Sequence, residues 1–247
     1  MHKLKVSIVS YLNSRPFLDG IRNSGFEEEI ELSLDIPATC AAKLLDGRVD
    51  IGLVPVAILP QLKDYHIITD YCIGADGPVR SVGLYSQIPL DQIQTIILDN
   101  QSRTSVALVK ILCEKLWNIH PAYTLGIDGY ESQINGTTAG VVIGDRTFGL
   151  KHPYFYDLSE AWKTLTGLPF VFACWVSRMP IDRQTEERFN RTLKQGLGEI
   201  DRIAEAVKPL FPPDSDLAGY LRHNISFALD ERKRQGLRTF LGMLPLE

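Results

Sequence analysis

The sequence predicts an α/β protein of two lobes, with mixed sheets flanked by helices and a ligand cleft between the lobes. Three observations lead there. Strand and helix signals alternate through most of the 247 residues rather than separating into all-α and all-β parts. A second pattern, similar to the first, begins near Leu90. The chain passes between the halves twice, near residues 86–90 and near 175–177. The first lobe is therefore discontinuous, residues 1–86 and 177–247, and the second is residues 87–176.

Each element follows from local pattern. Residues 5–9 (Lys-Val-Ser-Ile-Val) are a buried first strand, and residues 11–17 a polar turn leading into a short helix. Residues 30–34 alternate apolar and polar and form the second strand. Pro37 suits a first helical position, and residues 38–45 continue a helix that Asp46-Gly47 stops. Residues 49–54 are nearly all apolar, as in a strand buried on both faces. A short helix at 58–62 and strands at 67–73 and 81–85 complete this half. In the second half, strands are expected at 96–98, 123–125 and 139–143, and a helix at 104–117. Residues 169–176 form a strand returning to the first lobe. Helices follow at 186–206, 213–221 and 228–243, punctuated by Pro180, Pro209, Pro212 and Pro213.

Composition narrows the function. The net charge is −4, with Lys and Arg dispersed; nucleic-acid affinity rests on phosphate neutralisation, so no nucleic-acid partner is expected. The first apolar run is too short for a signal core or a membrane span, and no later stretch approaches that length, so no membrane association and a cytoplasmic location are expected. Cys40, Cys72, Cys113 and Cys174 form no CxxC pair and are read as buried thiols. The five histidines show no ligand spacing, so no metal site is expected. There is no GxGxxG, P-loop or GxSxG motif, and no cofactor is expected.

Four places suit ligand chemistry. Tyr11, Asn13 and Ser14 follow the first strand, where ligands of open α/β sheets bind; Asn13 offers an amide donor and an acceptor, although Asn13 or Ser14 also suits a helix cap. The stretch Asp99-Asn100-Gln101-Ser102-Arg103-Thr104-Ser105 lies between a strand and the strongest helix, whose free N–H groups and hydroxyls suit an anion; capping by Ser102 or Thr104 is compatible with that. Gly144 permits close backbone approach, and Asp145 suits either acid–base work on a hydroxyl or a plain ion pair with Arg146. Ser81 suits a ligand contact or an ordinary place at a strand edge.

Taken together, Ser10-Tyr11-Leu12-Asn13-Ser14-Arg15-Pro16-Phe17, Asp50-Ile51-Gly52-Leu53-Val54-Pro55-Val56-Ala57, Ser102-Arg103-Thr104-Ser105, Ile143-Gly144-Asp145 and the stretch from Tyr156 through Thr166-Gly167-Leu168-Pro169-Phe170-Val171-Phe172-Ala173 resemble the chorismate dehydratase family of the futalosine route to menaquinone. The two-crossing layout resembles type II periplasmic binding proteins. The resemblance implies loss of water from chorismate to give 3-[(1-carboxyvinyl)oxy]benzoate, without a cofactor. It also implies roles. Ser102–Ser105 hold a carboxylate, Thr104 and Ser105 foremost, and Ser81 contacts the other polar end. Asn13 sits at the reacting ring and positions either the leaving hydroxyl or the enolpyruvyl carboxylate, Asp145 binds or protonates the hydroxyl, and the substrate's own carboxylate is available as base. A non-catalytic protein that binds or senses a small anion on the same fold is the competing reading.

Overall fold

The computed structural model describes residues 3–245; residues 1–2 and 246–247, the outer ends of the expected first lobe, lie outside the described residues. Two five-stranded mixed sheets form the centres of the two lobes. In the first, β1 (Leu4–Val9) lies parallel between β2 (Ile30–Asp35) and β3 (Ile51–Pro55). β10 (Phe170–Ser177) then runs antiparallel between β3 and β4 (His66–Ala75). In the second, β6 (Thr95–Leu98) lies parallel between β7 (Ala122–Leu125) and β8 (Thr138–Ile143). β5 (Val82–Ser86) runs antiparallel between β8 and β9 (Tyr154–Asp157).

This pairing moves both expected crossings. β5, expected in the first lobe, belongs wholly to the second sheet; β10, read as a strand returning to the first lobe, belongs to the first sheet along its whole length, ahead of the expected boundary at residue 177. The chain therefore crosses just before β5 and just before β10. Both strands are buried along their whole length, so local hydrophobicity could not reveal which sheet receives them.

Helices cover the sheets. α1 (Arg15–Asn23) begins with proline in its first turn, as does α2 (Pro37–Leu45). The helix expected over 104–117 is α3 (Thr104–Leu112) followed by a wider π turn at Cys113–Trp117. α4 (Leu158–Thr166) and β9 were not expected; Asp157 caps α4 by accepting from the Ser159 and Glu160 amides, and Gly167 closes it. The helix expected over 186–206 is two, α5 (Arg183–Leu197) and α6 (Ile200–Val207), broken at Gly198-Glu199. The one expected over 213–221 shrinks to α7 (Leu217–Gly219) with a π turn at Tyr220–Asn224, and α8 (Glu231–Gly242) ends the chain.

The placement of α1 matters most for the site. Gly20 and Gly196 let α1 and α5 meet backbone to backbone: a Cβ at Gly196 would lie 1.8 Å from the Pro16 carbonyl oxygen, and one at Gly20 2.2 Å from that of Thr192. Phe17 adds an edge-on contact to Trp175 of β10 at 6.0 Å. The turn between β1 and α1 is thus held from both ends by buried packing. No described helix is long and apolar enough to cross a membrane.

Candidate active site

β1 ends at Val9, and the chain reverses through a 3-10 turn at Leu12–Ser14. Ser14 holds this turn from inside: its buried hydroxyl lies against the Val9 and Tyr11 carbonyls, the latter at 2.8 Å. The turn directs Tyr11 and Asn13 into a small cavity between the lobes.

The second lobe supplies the opposite wall. After β6 the carboxylate of Asp99, fully buried, accepts the Gln101 amide and the Tyr130 hydroxyl, each at 2.8 Å, and pairs with Arg146. Arg146 also reaches Glu131 at 2.8 Å. Burial pushes the Asp99 carboxyl above its ordinary value, and the guanidinium opposes that push. The loop so fixed places Ser102, Thr104 and Ser105 on the cavity wall. The Ser102 hydroxyl, just ahead of α3, accepts the Ser105 amide of its first turn at 3.0 Å.

Three contacts close the lobes on each other. The Tyr11 hydroxyl donates to the Gln101 side-chain oxygen, and burial pushes that phenol up to about 12. The Leu12 amide donates to both oxygens of Asp145, at 2.8 and 3.2 Å. The Ala57 amide donates to the Thr104 hydroxyl at 3.2 Å, and that hydroxyl donates onward to the Phe172 carbonyl at 3.2 Å. Gly144 completes the fit. Its φ is +64°, its amide donates to the Ser81 carbonyl at 2.8 Å, and a Cβ there would lie 2.6 Å from the Tyr11 ring.

Tyr11, Asn13, Ser81, Ser102, Thr104, Ser105 and Gly144 all line one cavity, with an apolar remainder that includes Val9, Ile73, Val82 and Phe172. The other three expected residues sit elsewhere. Ser14 lies behind the turn it stabilises. Arg103 is exposed at the start of α3. Asp145 stands behind Gly144 with its carboxylate occupied by the Leu12 amide, and it pairs neither with Arg146 nor with anything in the cavity. Burial pushes its carboxyl above the ordinary range, against the Leu12 amide and the charge of Arg15. Asp99 and Gln101 lie in the candidate stretch that leads to Ser102, but the sequence suggested no role for either; Tyr220 it did not single out at all. Tyr220 comes from the π turn near the C-terminus and shares a hydrogen bond of 2.7 Å with the Ser81 hydroxyl.

The cavity wall carries hydroxyls and one amide but, among the described residues, no carboxylate, imidazole, amine or thiol. Its volume of about 60 Å³ is well below the roughly 300 Å³ of a typical ligand site, so admitting a ring-sized ligand requires the lobes to part. A larger cavity, about 630 Å³, lies by the end of β10 and is lined by Asp50, Lys63 and Arg178 among others; none of the ten expected site residues lines it. Among the described residues no group of three or more metal-type side chains is assembled.

A family profile described as menaquinone biosynthesis matches residues 4–245. The chain belongs to the menaquinone biosynthesis family. A relative named chorismate dehydratase, from Thermus thermophilus, is 26% identical, with 100% of this chain and 97% of that protein aligned. Among solved structures, an Archaeoglobus fulgidus protein superposes with a TM-score of 0.73 at 15% identity, covering 98% of this chain and 96% of that one. A Candida albicans protein described as having the generic periplasmic binding protein fold gives 0.65 at 11% identity, covering 100% and 92%. At such identities these two establish the fold alone, and they agree with the two-lobed architecture.

Proposed function

We propose that this protein is a chorismate dehydratase, a hydro-lyase that removes water from chorismate to give 3-[(1-carboxyvinyl)oxy]benzoate. The observation that carries the proposal is the make-up of the cavity: neutral donors of two lobes converge on an apolar space without a protein base or acid on its wall. That suits a reaction whose driving force is internal. The ring loses one hydrogen as a proton and the neighbouring hydroxyl as water, and becomes aromatic. Chorismate brings two carboxylates; one of them takes the ring proton and passes it to the departing hydroxyl, which leaves as water while the carboxylate is restored.

The protein's part is orientation and charge placement. Ser102 and Ser105, at the N-terminus of α3, hold one carboxylate with help from the positive end of the helix. Thr104 serves closure, its hydroxyl being engaged with Ala57 and Phe172. Ser81 meets the opposite polar end. Asn13 is the catalytic residue, its amide directed at the departing hydroxyl. Asp145 acts at one remove by holding the Leu12 amide and so the turn that carries Asn13. Held geometry of this kind lowers a barrier by several kcal/mol, on the order of 7 or more in favourable cases. A cytoplasmic location fits the four unpaired thiols.

The test is purified protein with chorismate, following loss of diene absorbance and identifying the product by mass. Catalytic loss of one water is expected. Asn13→Ala should lower kcat by about 100-fold while leaving substrate binding, measured by calorimetry on the inactive variant, within a few-fold. Tight binding of chorismate with no turnover by the unmodified protein would replace the proposal with the reading of a small-anion binding or sensor protein.

A further inference from the structure

We propose that Asp157 is a positioning residue for Ser81, acting through a strained turn at Arg80; this rests on the reading of the cavity given above. Residues 76–81 carry the chain from β4 to β5, the first of the two crossings between the lobes. Within them Arg80 has a φ of +62°. Among the described residues only Asn118 shares such a φ without being glycine, and Asn tolerates it far better than Arg does. The turn brings both neighbours of Arg80, Val79 and Ser81, to the cavity wall and leaves Arg80 itself exposed.

A left-handed arginine persists only where its surroundings hold it. The Arg80 side chain does not do so, because its guanidinium forms no hydrogen bond or ion pair among the described residues. The backbone does: the Arg80 amide donates to one carboxylate oxygen of Asp157 at 2.6 Å. The other oxygen accepts the Ser159 and Glu160 amides at 3.0 and 3.1 Å. Asp157 is itself fixed, being buried at the end of β9 and paired with Gly83 of β5. The tether therefore runs from the second sheet to the turn, and Ser81 follows at once. The Ser81 carbonyl accepts the Gly144 amide at 2.8 Å, and its hydroxyl lies 2.7 Å from that of Tyr220. Relaxation of Arg80 to a negative φ would rotate Ser81 relative to Val79, breaking both bonds and taking the hydroxyl off the wall.

Asp157 thus does two things with two oxygens, and chemistry separates them. An ionised carboxylate only accepts, so it serves all three amides. An asparagine side chain has one acceptor and one donor group. In Asp157→Asn the two cap amides keep the oxygen, since Asn caps helices as well as Asp, and the NH2 group is left facing the Arg80 N–H. The cap of α4 stays and the tether is lost. Arg80→Gly makes the tether dispensable, because glycine adopts a positive φ without steric cost.

Two measurements on the full chain test the proposal. Backbone amide NMR reads the tether without a substrate. In Asp157→Asn the Gly144 amide, whose acceptor is the Ser81 carbonyl, should shift and exchange with solvent about tenfold faster or more, while the Ser159 and Glu160 amides stay protected. An unchanged Gly144 amide overturns the proposal whatever the substrate proves to be. Kinetics with chorismate reads the consequence. Asp157→Asn should raise KM about tenfold, the scale of one lost ligand contact. That cost should shrink by about threefold or more in the Arg80→Gly background, and should not shrink in Arg80→Ala, which keeps the Cβ. A smaller rescue, or an equal rescue by Arg80→Ala, overturns positioning through the strained turn. Should Asp157→Asn not fold, or should it disturb the Ser159 and Glu160 amides, Asp157→Ser repeats both measurements, its short hydroxyl reaching the cap amides alone. If the unmodified protein leaves chorismate intact, the dehydratase reading fails while the Gly144 amide still decides the tether.

Discussion

In the first lobe β1 runs between β2 and β3, and the turn after it carries Tyr11 and Asn13; in the second β6 runs between β7 and β8, and the turn after it carries Gln101 and Ser102. The strand β10 of the first sheet and β5 of the second occupy the same fourth place, each arriving from the other lobe. The two halves even grip each other in matching fashion. The turn after β8 offers Asp145 to the Leu12 amide, and the turn after β3 offers the Ala57 amide to Thr104. In both grips a backbone N–H of the first lobe meets a side-chain oxygen of the second. What differs is the charge behind each half. The first lobe's carboxylate, Asp35, keeps 12% of its side chain exposed and pairs with Lys43, itself 21% exposed. The second lobe's, Asp99, is 0% exposed and pairs with Arg146. The more deeply buried carboxylate thus stands behind the second lobe's wall of the cleft, and the turn that carries Asn13 belongs to the lobe whose ion pair is the more exposed.

The largest expected effect lies in that difference. Arg146→Leu leaves the Asp99 charge buried beside only neutral donors, and removing one partner of a buried pair costs about 3 kcal/mol or more. Lys43→Leu leaves Asp35 two hydroxyl donors, Ser7 and Ser33 at 2.8 Å, and partial contact with water, and should cost about 1 kcal/mol. Denaturant unfolding of both variants checks the order. Equal losses would remove the claim that the second lobe's ion pair is the more deeply committed of the two.

Much of the first lobe was legible because its signals are local. Pro37 and Asp46-Gly47 bracket α2, and an all-apolar run marks β3. The residues at strand ends were legible for the same reason, and seven of them line one cavity. The rest depends on distance. Asp99 reads as a loop residue until Tyr130 and Arg146, far along the chain, close over it. Tyr220 sits in a stretch that reads as an ordinary surface helix, and nothing within it announces Ser81. β9 is half exposed at an edge, so Tyr154, Phe155 and Tyr156 gave no alternation to read. Asp145 was placed at the correct turn, but its direction, away from the cavity and toward Leu12, is set by the closure of the lobes rather than by Gly144-Asp145-Arg146 itself.

The two grips differ by a smaller amount. Asp145→Ala leaves the Leu12 amide without its acceptor, at about 1–3 kcal/mol. Thr104→Val strips one bond each from Ala57 and Phe172 at longer distances, at about 1–2 kcal/mol. Because each holds the lobes together, either change should also widen the spread of lobe openings measured by small-angle scattering. A change in stability with no change in scattering would make the contact a local one.

The finest distinction is one of pH, and the two carboxylates should respond with opposite signs. Burial alone would raise the Asp35 carboxyl, but hydrogen bonds from Lys43, Ser7 and Ser33 outweigh it and hold the group below its ordinary value. Its contribution to stability is therefore present above the unfolded value of about 3.9 and is lost as pH falls through the folded one. For Asp145 burial wins over the Leu12 amide and Arg15, and the folded value is raised. Its contribution is present below about 3.9 and is lost as pH rises through the folded value. Asp35→Asn should accordingly be less stable than the unmodified protein at neutral pH, with the gap closing in acid. Asp145→Asn, whose amide oxygen still accepts from Leu12, should be the more stable at neutral pH, with its advantage fading in acid. Thermal melts from acid to neutral pH separate the two slopes. The same Asn variant bears on chemistry. If Asp145 acts only by holding Leu12, Asp145→Asn keeps turnover within a few-fold, whereas loss of turnover on the scale of Asn13→Ala would make the carboxyl a proton donor to the departing hydroxyl and return it to the reacting centre.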